Sequence, residues 1–72
     1  KYGAGRRYAT NITPENIRRV QAALLREGFN PGPLDGRLSR STLAALNQYQ
    51  RARNLPEDQY LNLQTMRALG VG

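Results

Sequence analysis

The chain has 72 residues, with eleven Lys and Arg against five Asp and Glu for a formal net charge of +6, and it contains neither cysteine nor histidine. That length gives one domain near the lower limit for folding on a hydrophobic core alone, and the missing residue types exclude disulfide staples, a conventional zinc site and a cysteine- or histidine-based nucleophile pair. Without such staples the core has to come from packed helices with short connections; no apolar stretch approaches the roughly 18 residues of a membrane span, and the basic surplus favours polyanionic or acidic surroundings.

The first segment, residues 1–12, mixes glycine, arginine and isolated tyrosines without helical or alternating period and reads as a linker or arm. Its Lys1, Tyr2, Arg6, Arg7 and Tyr8 suit a solvated tether that can touch a polyanion. The chain is read as a mature fragment or an excised domain, with any leader or lipid anchor outside it.

Residues 13–72 form the domain. Thr13-Pro14-Glu15 is a helix start: the threonine caps free amides, proline suits the first helical position, and the glutamate complements the positive helix end. The helix runs to about Glu27, with Ile17, Val20, Ala23 and Leu24 on one stripe and Arg18, Arg19 and Arg26 on other faces. Gly28 fits a left-handed cap, and Phe29 beyond it folds back onto the last turn. Asn30-Pro31-Gly32-Pro33-Leu34-Asp35-Gly36 is too rich in turn formers for helix or strand to persist.

A second helix is capped by Ser39 and runs to about Arg53, burying Thr42, Ala45, Leu46 and Tyr49 with Leu43 at the edge of the stripe; Asn54 tolerates a left-handed cap. Leu55-Pro56-Glu57-Asp58 breaks the chain, and a short third helix follows Asn62 and ends near Leu69, before Gly70. The expected fold is an all-α three-helix bundle.

Two stretches repeat one pattern. Residues 35–46 align without gaps on residues 58–69, sharing Asp, Leu, a capping Ser or Asn, Thr, Ala and Leu. In each copy a leucine, Leu38 or Leu61, staples the chain before the cap, and a first-turn threonine, Thr42 or Thr65, reaches back to the cap or the loop backbone. Alanine and leucine then face the core, which the leading helix closes.

The ordered set Val20, Gln21 and Leu24, Gly28-Phe29, Pro31-Gly32-Pro33, Asp35-Gly36, Leu38, Thr42, Ala45-Leu46, Tyr49-Gln50, Leu55-Pro56, Leu61, Thr65 and Leu69 resembles the peptidoglycan-binding domain family, over about Ile17 to Leu69. That family consists of three-helix modules found beside amidases, peptidases and transglycosylases. The resemblance implies non-catalytic binding of peptidoglycan, glycan strand and stem peptide, that anchors or targets a fused or associated envelope protein in the periplasm or outside the cell. Four positions depart from the family pattern: Ser39 and Gln59 stand where loop glycines are usual, Tyr49 replaces phenylalanine and Asn54 replaces a glycine.

The candidate ligand-binding residues are Asp35, Gly36, Arg37, Arg40 and Tyr60. Asp35-Gly36 makes a turn in which the carboxylate accepts backbone amides and the glycine takes positive φ, so a structural role competes with ligand contact. Arg37 and Arg40 flank the loop with guanidinium forks suited to a stem-peptide carboxylate, against the alternative that both are merely solvated. Tyr60 lies off the helical stripe and can stack on a sugar face or cover a lactyl-peptide stem. Gln21 and Gln50 read as partners of loop backbone groups. No metal, cofactor or catalytic residue is expected, since the acids Glu15, Glu27, Asp35, Glu57 and Asp58 sit at helix ends or in turns without a base partner. Two other readings stand beside wall binding: a protein-interaction module on the same fold, and a basic helix-turn-helix-like nucleic-acid binder using Arg40, Asn47 and Arg51.

Overall fold

A computed structural model describes residues 13–55, 57 and 63–71; the arm at residues 1–12 and Tyr60, Leu61 and Asn62 lie outside the described residues. The described chain contains three helices and no strand: α1 (Pro14–Arg26), α2 (Arg40–Ala52) and α3 (Leu63–Leu69). α1 packs against both α2 and α3, so the leading helix is the spine on which the two loop-helix units rest.

The helix starts follow from local chemistry. Thr13 is extended at φ −111° and ψ 161°, and its Oγ1 accepts the Asn16 amide at 3.2 Å, with Pro14 next in line and Glu15 in the first turn. Ser39 does the same for α2: it is extended at φ −74° and ψ 171°, and its Oγ accepts the Thr42 amide at 3.3 Å.

All three helices end in one way. The residue after the cap donates its amide to the carbonyl three residues before it, and the next residue closes a longer loop onto the carbonyl five before. For α1 these bonds are Gly28 to Leu25 at 3.0 Å and Phe29 to Leu24 at 2.8 Å; for α2, Asn54 to Arg51 at 3.3 Å and Leu55 to Gln50 at 2.8 Å; for α3, Gly70 to Arg67 at 3.0 Å and Val71 to Met66 at 2.9 Å. This double closure is the Schellman motif, whose left-handed residue is Gly28 (φ 95°), Asn54 (φ 57°) or Gly70 (φ 79°). Each time the next side chain, Phe29, Leu55 or Val71, turns back onto the core.

The core contains Val20, Ala23 and Leu24 from α1, Ala45, Leu46 and Tyr49 from α2, and Met66, Leu69 and Val71 from the third unit, with Phe29, Leu38, Leu43 and Leu55 packed around it. Ile17 is also buried. The stripes on α1 and α2 are those expected from their periodicity, and Leu38 sits against the core as a staple residue should. The second copy of the repeat departs from its pattern at one place. Ala68, the counterpart of the buried Ala45, is exposed, and Met66 is buried instead. The reason is rotation: α3 turns Thr65, Met66 and Leu69 inward and Ala68 outward.

Candidate functional site

The site is built around a buried glutamine. Gln21 lies on the same face of α1 as Leu24, with none of its surface exposed, opposite the loop that joins α1 to α2. Its Nε2 donates toward Arg37 O at 2.9 Å, Thr42 Oγ1 at 2.9 Å and Asp35 Oδ1 at 3.2 Å, while its Oε1 accepts the Gly36 amide at 2.9 Å. A side chain with two protons and one carbonyl thus holds three successive loop residues and the first turn of α2.

Thr42 completes the clamp. Its hydroxyl donates to the Pro31 carbonyl at 2.8 Å and accepts from Gln21. Because that one proton is committed to Pro31, the 3.1 Å contact between Ser39 Oγ and Thr42 Oγ1 must run from serine to threonine. Ser39 therefore donates to the Thr42 side chain and accepts from its backbone. Among the described residues, no buried side-chain nitrogen or oxygen lacks a partner.

The loop supplies its own local bonds. Asn30 Oδ1 accepts the Gly32 amide at 3.0 Å, and Asp35 Oδ1 accepts the Arg37 amide at 3.0 Å, each an Asx turn. The Gln21 amide and then the Arg37 backbone N–H hold the Asp35 carboxyl below its ordinary value, so it is ionised at neutral pH. Gly36 is buried at φ 76°, and a Cβ there would meet the Pro14 carbonyl oxygen at 2.7 Å. The loop therefore lies directly against the start of α1.

Of the five candidates, Asp35 and Gly36 are accounted for by this clamp, Arg37 and Arg40 are exposed beside it, and Tyr60 lies outside the described residues. From Arg40 a shallow open depression follows α2. Its described lining is Arg40, Leu43, Ala44 and Asn47, at i, i+3, i+4 and i+7 on one helical face. Sequence reasoning placed Leu43 at the edge of the core stripe and Asn47 on a polar face; only their shared spacing from Arg40 carried the signal that they line one surface. The acids Glu15, Glu27, Asp35 and Glu57 are all exposed, and no group of metal-ligating side chains gathers among the described residues.

Residues 13–69 match the family model described as "Putative peptidoglycan binding domain". The chain belongs to the peptidoglycan-binding domain family. No curated protein and no solved structure gives a significant match. The family is one of binding domains, not of catalysts.

Within the peptidoglycan-binding fold, three of the four departures from the family pattern have structural explanations. Ser39 caps α2 and feeds the Thr42 hydroxyl. Tyr49 is buried, meets Phe29 edge to face with centroids 5.7 Å apart, and lies under the Arg53 guanidinium at 5.4 Å. Asn54 takes the left-handed position in the α2 cap. Gln59 lies outside the described residues. The loop between α1 and α2, residues 27–39, is a long clamped structure, unlike the turn of about 3–4 residues in a helix-turn-helix protein. Among the described residues, no helix is long and apolar enough to cross a membrane.

Proposed function

We propose that the chain binds bacterial cell-wall peptidoglycan without altering it and holds a fused or associated envelope protein at the wall, in the periplasm or outside the cell. Membership of the peptidoglycan-binding family over residues 13–69 carries this reading. The physical support is the clamped loop with the start of α2, which present Arg37 and Arg40 respectively from a backbone that has little freedom left to lose on binding. Neither arginine is in an ion pair among the described residues, so each is available to a stem-peptide carboxylate. Asp35 and Gly36 act by setting the loop, and Tyr60 supplies an aromatic face for a sugar or lactyl group.

Binding by one such module is weak, and its effect is to raise the local concentration of whatever it is joined to. Retention of the chain on purified insoluble sacculi tests this, run beside a DNA filter assay over a salt series. Retention on sacculi is the expected result. Steep, salt-sensitive retention of DNA alone would replace it with a nucleic-acid reading, and retention on neither would leave a protein-interaction module.

A further inference from the structure

The depression along α2 has a polarity that selects its ligand. Arg40 stands at one end, Asn47 at the other, and Leu43 and Ala44 form the floor between them. Arg40 and Ala44 are exposed, whereas Leu43 and Asn47 are half-buried, so the cation is free to reach outward from the helix face. Seven residues of helix separate the ends by roughly 10 Å, the length of about three residues of extended peptide. Arg40 has no ion-pair partner among the described residues, while Arg51 on the same helix is held by Glu57 at 3.1 Å.

We infer that this groove binds a short extended peptide by its free terminal carboxylate, with Arg40 gripping the carboxylate, Asn47 pairing with a peptide amide, and Leu43 and Ala44 receiving methyl-sized side chains. The inference rests on the wall-binding reading and sharpens it: the part of the wall that this groove recognises is the uncrosslinked end of a stem peptide. Three features select that ligand. A guanidinium fork matches a carboxylate bidentately. The primary amide of asparagine both donates and accepts, as a peptide group requires. The Leu43 and Ala44 side chains that form the floor offer apolar contact to small aliphatic groups.

The test is a ¹⁵N NMR titration of the whole chain with soluble disaccharide-peptide fragments whose terminal carboxylate is free or amidated, alongside sacculus retention of Arg40→Gln, Ala44→Glu and the remote control Arg26→Gln. Amide shifts should cluster between Arg40 and Asn47, and amidation, Arg40→Gln and Ala44→Glu should each weaken binding about tenfold or more, as expected for loss of a charge-assisted contact. Arg26→Gln should leave it unchanged, and unaltered circular dichroism will confirm that the two exposed-site variants fold. Undiminished sacculus binding by both variants, with shifts elsewhere, overturns the groove assignment while wall binding stands. Equal binding of free and amidated fragments overturns carboxylate recognition. Failure of the unaltered chain to bind sacculi removes both readings.

Discussion

The side-chain nitrogen of Gln21 lies 2.9 Å from the Thr42 hydroxyl oxygen, and this contact between two fully buried polar groups fastens α1 to the first turn of α2. A second pair repeats it: Gln50 Nε2 donates to Thr65 Oγ1 at 3.1 Å, again buried, and fastens α2 to α3. α1 and α2 thus each offer a glutamine to the first-turn threonine of the helix that follows. Close packing sets how the helices fit, and each amide meeting a hydroxyl adds a directional contact that a slip in register would break.

Gln21→Ala should cost at least about 2 kcal/mol, because it strands the Gly36 amide and removes the donor for Arg37 O and Thr42 Oγ1 in a buried site. A domain of this size has only roughly 3–5 kcal/mol in hand, so thermal denaturation followed by circular dichroism should show a broad, low-temperature transition or none. In a cycle with Thr42→Val, the two changes should couple by more than about 0.5 kcal/mol, and simple additivity would refute the clamp.

Gly36→Ala and Gly28→Ala should differ sharply although both replace a glycine at positive φ. At Gly28 nothing lies within 4 Å of the added carbon, so only backbone strain of roughly 1–2 kcal/mol applies. At Gly36 the new carbon also meets the Pro14 carbonyl oxygen at 2.7 Å, and a backbone atom at a helix start cannot move aside cheaply. Urea midpoints measured side by side should place Gly36→Ala well below Gly28→Ala.

Stability should fall in acid through identified carboxylates. Asp35 is held below its ordinary 3.8 by Gln21 and the Arg37 amide, and Glu57 below its ordinary 4.5 by the hydrogen bond and charge of Arg51. A group whose folded value is depressed contributes fully above its unfolded value, and that contribution is lost as pH falls through the folded one. Denaturation midpoints should therefore hold steady from neutral pH to about 5 and decline below about 4. Asp35→Asn should flatten part of that decline, and an unchanged acid slope in that variant would contradict the assignment.

Arg53→Ala should destabilise more than Glu27→Ala. Both remove the 2.6 Å ion pair between the caps of α1 and α2, which is solvent-exposed and worth less than about 1 kcal/mol. Only the arginine change also uncovers the Tyr49 ring, adding roughly 0.5–1 kcal/mol. Equal melting temperatures for the two variants would show that the ring contact contributes nothing.

The sequence by itself determined the three helices, and for α1 and α2 their caps and buried stripes. Thr13, Ser39, Gly28 and Asn54 act through bonds a few residues away, and Val20, Leu24, Leu46 and Tyr49 fall at helical spacing, so both are written in local order. It also marked Gln21 and Thr42 as partners for the loop. Only the tertiary structure decided that Gln21 reaches Asp35, Gly36, Arg37 and Thr42 together, that Ala68 turns outward while Met66 turns in, and that Arg40 shares a depression with Leu43, Ala44 and Asn47. Those outcomes depend on how one helix is rotated against another. Rotation is set by the fit of many side chains at once, and no short stretch of sequence records it.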